Sequence, residues 1–201
     1  YLTLDYLAEV TLSIMHKQKR KDPSLGYATD FITLMGRILP DLKKKGIRVI
    51  ANAGGVNPRA CREALLKVAK DLGIKGLKVA TVTGDDILDR LPDFKSQGLE
   101  LKNMDSSKSL FAESLEMVAA NVYLPTQAMV DALDLGADVV LTGRCTDPGL
   151  TLAALIHEFK WPANDWNRLA AGTVAGHILE CGAQATGGNF SKWWEVPDLW
   201  K

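Results

Sequence analysis

Residues 47–72 constrain this chain more than any other stretch, because they join a buried strand, a paired-glycine turn and a helix start in one unit. Ile47, Val49 and Ile50 are β-branched residues in a short apolar run. Gly54 and Gly55 allow a sharp turn and close approach of a ligand to the backbone. Asn57 is a good N-cap and Pro58 fits the first helical position. Ala64, Leu65, Val68 and Leu72 then form a helical apolar stripe that Gly73 ends. Free backbone N–H groups at such a helix start favour an anion.

The unit has an echo at residues 138–156. Val139 to Leu141 reads as a strand, Gly143 as the turn and Asp147-Pro148 as the cap of a second apolar helix. Between and around the two units the pattern predicts a strand over 1–7 and helices over 9–18 and 27–39, with Pro40 stopping or bending the latter. Further on it predicts a strand over 77–83, a short helix to Leu91 and a polar excursion or lid over 92–109. Helices over 110–121, 125–135, 148–159 and 166–181 complete the reading, with irregular chain from Gly182.

Strands alternating with helices predict an α/β fold, a mostly parallel sheet flanked by helices in a three-layer, Rossmann-like arrangement. A single domain over residues 1–201 suits the length. Parallel strands bring the loops around Glu9, 52–57, 83–86 and 142–147 to one edge, where open α/β sheets bind ligands. That topology nominates Glu9, Asn52, Gly54, Gly55, Asn57, Thr142, Gly143, Arg144 and Asp147 as ligand contacts.

Each nomination has a plainer alternative. The Gly54-Gly55 turn either cradles a phosphate or carboxylate or simply turns the chain. It matches neither the dinucleotide fingerprint nor a P-loop, so NAD and ATP are not indicated. Arg144 either forks onto an anionic ligand or pairs with Asp147 or Asp138. Asp85 and Asp86 could hold Mg²⁺ or act as a base, or one caps a helix and the other meets solvent. On the last helix Thr173, His177 and Cys181 share a face and Glu180 adjoins it, so His177 with Glu180 could work as an acid–base pair. Alternatively His177 packs inward and bonds a backbone carbonyl. With no second ligand cluster, a zinc site is not expected. His157 reads as a helix-end residue favoured by the dipole, and His16 as a surface residue beside the charged run 17–22. Five tryptophans, Trp161, Trp166, Trp193, Trp194 and Trp200, suggest a pocket wall or an oligomer contact.

A formal net charge of zero gives no support for a nucleic-acid or membrane-surface partner. No apolar run is long enough to span a bilayer, and no signal peptide is visible. The chain starts at Tyr1 rather than Met and reads as an internal portion of a longer one. Cys61, Cys145 and Cys181 form no C-x-x-C pair, which suits a reducing compartment, the cytoplasm or, for a eukaryotic source, the mitochondrial matrix.

Several segments resemble the acyclic terpene utilisation AtuA family: Asp5 to Thr11, Ala51 to Pro58, Thr83 to Asp86, Leu141 to Arg144 and, longest, Trp166 to Gly188. The resemblance implies a link to catabolism of acyclic terpenes such as citronellol and geraniol through CoA thioesters, with a lyase-like step on a branched hydroxyacyl-CoA. It also implies a longer protein, with a glycine-rich strand before this stretch and often a small ferredoxin-like domain after it. No catalytic role is carried over from it. The expectation is an enzyme, a lyase or hydrolase acting on an acyl-CoA or related carboxylate, and a homo-oligomer. The catalytic candidates are Asp85, Asp86, His177 and Glu180. A divalent metal such as Mg²⁺ and a CoA thioester substrate are the groups it would use. The alternative is a non-catalytic binding or assembly subunit of an acyl-CoA carboxylase-type complex.

Overall fold

Alternation within the strands sorts the core into two halves. In β2 (Val49–Ala51) and β4 (Val139–Thr142), Val49, Ala51, Val139 and Leu141 point to one face, and Ile50 and Val140 to the other. The first face is covered by α1 (Glu9–Lys21), α2 (Thr29–Lys45) and α3 (Pro58–Asp71) through Leu12, Met15, Phe31, Met35, Leu39 and Leu65. The second is covered by α5 (Gln127–Asp134) and α6 (Gly149–Phe159) through Met129, Leu133, Leu150 and Ala153. Strands buried on both faces are what a parallel sheet requires.

The computed structural model describes residues 1–112, 117–186, 192–195 and 197. With β1 (Leu2–Leu4) and β3 (Val79–Val82), the four strands run parallel in the order β1-β2-β4-β3. The result is the expected three-layer α/β fold. Leu4, Ala51, Val82 and Thr142 therefore end at one edge of the sheet. β3 has a strand neighbour on one side only among the described residues. Its outer side borders an open groove of about 620 Å³, with Arg62 of α3 and Asp131 of α5 on its two walls.

Three local expectations are corrected. Pro40 neither stops α2 nor ends it early; the helix continues to Lys45. Pro40 is exposed while Phe31, Met35, Leu39 and Leu42 hold the opposite side in the core, and the residue one turn back is Gly36. The tertiary packing of that stripe outweighs one lost hydrogen bond. Among the described residues of 110–121 no α-helix forms. Leu110–Ala112 make one 3₁₀ turn, 113–116 lie outside the described residues, and Asn121 and Leu124 bridge to Asp86 and Cys145 instead. Residues 92–109 begin in a short helix, α4 (Leu91–Ser96), and the rest is an excursion held by an isolated Lys102–Ser109 bridge.

The last helix, α7 (Trp166–Cys181), lies on α6 through two glycines one turn apart. A methyl group on Gly176 would sit 2.7 Å from the Pro148 carbonyl oxygen, and one on Gly172 2.8 Å from Leu152 and Trp161. Asp165 caps the helix by accepting from the Arg168 N–H. Its outer side leaves Val174, Ile178 and Leu179 exposed. Of the tryptophans, Trp166 and Trp194 are exposed and Trp161 is half-buried; Trp200 and the Trp193 side chain lie outside the described residues. No helix among the described residues is long and apolar enough to cross a membrane.

Candidate functional site

The loop after β4 places Arg144 at the shared strand edge, and its side chain is 4% exposed. A buried guanidinium needs its donors matched. Nη1 donates to the carbonyls of Leu7 at 3.1 Å and Cys145 at 3.2 Å. Nη2 pairs with Asp147 at 2.9 Å and Glu9 at 3.3 Å. The guanidinium carbon lies 4.1 Å from the centre of the Tyr123 ring. Nε is buried without a partner. Burial works against the charge, but Tyr123 and Asp147 outweigh it and hold the Arg144 pKa above its ordinary value. Glu9 opens α1, and its carboxylate accepts the Tyr123 hydroxyl. That hydroxyl, the Glu9 backbone N–H and the Arg144 charge keep Glu9 ionised below the usual carboxylate range.

Asp85, at the end of the loop after β3, is the second buried charge of the edge. Its Oδ2 accepts from the Arg144 backbone N–H at 2.9 Å and from Asn121 Nδ2 at 3.0 Å. Gly143 is required beneath it, because any Cβ there would collide with the Asp85 carboxylate. Residues 121–124 run between the two loops: Val122 N–H donates to the Asp85 carbonyl at 2.8 Å and Leu124 N–H to the Arg144 carbonyl at 3.0 Å.

The other nominated residues serve the chain itself. Asn52 is buried, accepting from Tyr6 N–H at 2.6 Å and donating to Asp5 at 2.7 Å, so it ties the β1–α1 loop to β2. Gly54 and Gly55 are buried: a Cβ on the first would lie 2.6 Å from the Thr142 carbonyl, and one on the second would meet Met15 and the Gly26 carbonyl. Asn57 stands at the N-cap position of α3, but its amide donates to the carbonyls of Pro23 and Leu25 rather than capping the helix. Thr142 is buried and donates to the Gly143 carbonyl at 2.7 Å. Asp147 pairs with Arg144 instead of capping α6, and Asp86 accepts from Leu88 N–H at 3.1 Å. Thus Glu9, Asp85, Gly143, Arg144 and Asp147 are brought together around one buried cation.

His177 and Glu180 are not part of that cluster. Both are exposed on α7, and the Glu180 carboxylate accepts from the Cys181 thiol at 3.1 Å. Among the described residues no group of three or more His, Cys, Asp or Glu is arranged to hold a metal ion. Two members of the cluster, Asn121 and Tyr123, escaped the sequence reading, and the neighbouring His16, expected at the surface, is corrected. His16 is half-buried, with Nε2 3.1 Å from Asn121 Oδ1. The alternation Asn121-Val-Tyr-Leu before Pro125 is the signal for an extended segment there. A cavity of about 350 Å³ opens beside the cluster, bounded by Glu9, Leu12, His16, Val118, Asn121 and Tyr123.

The family model described as acyclic terpene utilisation family protein AtuA matches residues 1–201. The chain belongs to the AtuA family. No curated protein and no solved structure matches it. In this AtuA-family chain the matched region includes every residue of the Arg144 cluster, and membership makes it a protein associated with acyclic terpene utilisation.

Proposed function

We propose that this AtuA-family protein binds the carboxylate or thioester end of a branched acyl substrate at Arg144 and acts on it in catabolism of citronellol- or geraniol-type compounds. The observation that carries the reading is the pairing of a buried Arg144, with one unpartnered N–H, to a Glu9 side chain that is 72% exposed. Glu9 occupies the outer anion position on the guanidinium. A substrate carboxylate or polarised thioester carbonyl can replace it there without unpairing the inner partners, Asp147 and the two carbonyls. The adjoining cavity has the size and mixed walls of a small-molecule site. Asp85 holds the Arg144 loop, and Asp86, exposed beside it, is the carboxylate proposed as base or metal contact. His177 with Glu180 remains the proposed second acid–base pair. Gly176 rests on Pro148, and Glu180 follows one turn beyond. The cytoplasm, or the mitochondrial matrix in a eukaryote, is the compartment this reading carries with it.

The test is binding of a branched acyl-CoA to the full chain by calorimetry. Arg144→Gln should weaken binding at least tenfold, the scale of one charged hydrogen bond. Because that residue is buried, Glu9→Gln provides the complementary test: removing the internal competitor should tighten binding several-fold. Unchanged affinity in Glu9→Gln, with the fold intact by circular dichroism, overturns the reading.

The exposed apolar side of α7, with Val174, Ile178 and Leu179, favours a second reading, an assembly subunit of an acyl-CoA carboxylase-type complex, or a homo-oligomer. Native mass and co-purification separate the two: a stable hetero-complex without turnover supports it, and an active lone chain removes it.

A further inference from the structure

The cavity beside Arg144 is half of a longer trench. A second cavity of about 360 Å³ continues past His16, and both are bounded by His16, Arg20 and Val118. The trench follows α1 from Glu9 to Arg20, eleven helical steps, or roughly 16 Å at the rise of an α-helix. Its polarity changes along the way. Glu9 stands at one end, Leu12, Val118 and Ala119 form apolar walls in the middle, and Lys17 and Arg20 stand at the other. Among the described residues neither Lys17 nor Arg20 has an acidic partner, whereas Lys19 is engaged with the Val56 carbonyl at 2.8 Å. Asp86, a carboxylate bounding that end, accepts the Leu88 N–H through Oδ1 at 3.1 Å and pairs with neither base.

His16 divides the two cavities and is built into the fold. Asp85 Oδ2 accepts the Arg144 backbone N–H and offers Asn121 only an acceptor, so Asn121 presents its NH₂ there and its oxygen to His16. His16 Nε2 therefore carries a proton and donates to Asn121. The imidazole is held as a fixed wall by a relay that starts at a buried carboxylate, and the trench is preorganised at its midpoint.

We propose that this trench binds a ligand with a short aliphatic chain ending in an anion, a carboxylate or a phosphate ester, with the chain over Leu12 and Val118 and the anion at Lys17 and Arg20. The trench shares its Glu9 end with the Arg144 site, but the anion position at Lys17 and Arg20 lies outside the Arg144 contacts and stands whether or not a substrate docks there. The probes are octanoate, octyl phosphate, octanol and inorganic phosphate, titrated calorimetrically into the full chain. Octanoate or octyl phosphate should bind at least fivefold tighter than octanol, with inorganic phosphate far weaker. Hexanoate to octanoate should gain about fourfold per methylene, the equivalent of about 0.8 kcal/mol. The double variant Lys17→Gln with Arg20→Gln should bring octanoate down to the octanol level, and Val118→Asp should weaken both.

Equal binding of octanol and the two anions, or octanoate affinity unmoved in the double variant, overturns the proposal. Arg144→Gln separates the two readings. If it abolishes octanoate binding while the double variant does not, the anion sits at Arg144 and the trench assignment falls. If the double variant alone abolishes binding, the trench stands and the carboxylate reading of Arg144 fails for this probe.

Discussion

At the scale of single residues, Arg144 joins the site to the fold. Its four engaged N–H contacts reach the loops after β1 and β4 and the first residue of α1, so the charge that could meet a ligand also holds the edge together. Glu9 is its most exposed partner, and its titration is the readout. Its folded pKa lies below that of an unfolded glutamate, mainly because of the Tyr123 hydroxyl. The stability it contributes is therefore complete above the unfolded carboxylate range and is lost as pH falls through the lowered folded value. Tyr123→Phe should move the Glu9 pKa up toward the ordinary range in a carbon-13 NMR titration. Arg144, Asp85 and Glu9 were legible because each follows a predicted strand end. Asn121 and Tyr123 were not, because they pair with residues 36 and 114 positions away and Ala119-Ala120 before them looks helical.

At the scale of elements, glycine has two meanings here that composition does not separate. Gly54 and Gly55 turn the chain as the sequence suggests, and only tertiary packing reveals that the Thr142 carbonyl and Pro58 crowd the first and Met15 and the Gly26 carbonyl the second. Gly172 and Gly176 sit inside a helix where alanine would gain up to about 1 kcal/mol in propensity. Gly176→Ala should nonetheless destabilise the protein by about 1–2 kcal/mol in urea, because its methyl group meets the fixed Pro148 backbone and overpacking costs more. Gly172→Ala should be close to neutral, since the Leu152 and Trp161 side chains can move aside. The long α2 teaches the converse. Its apolar stripe was plain, and Pro40 was misleading only because its ring lies on the exposed side.

At the scale of the whole molecule, the two core halves each carry a marked thiol. Cys61 belongs to the α1–α3 side and Cys145 to the α5–α6 side, and burial pushes their pKa values to about 12 and about 11. At pH 8 an Ellman-type reagent should titrate only Cys181 quickly in the folded protein and all three thiols in guanidinium. The slow rates at Cys61 and Cys145 should differ if the two sides open independently. Layer order and strand direction were readable because alternation and helical periodicity are local signals. The position of β3 outside β4 was not, since nothing in a single strand says which neighbour it takes.

That outermost position has a practical result. Among the described residues no strand pairs with the outer margin of β3; Arg62 Nε donates to the Val79 carbonyl there at 3.3 Å, and Lys78 nearby is a modest deterrent to a second backbone zipping on. Crowded refolding or concentrated storage is where self-association through this ribbon should begin, and dilution is the simplest remedy.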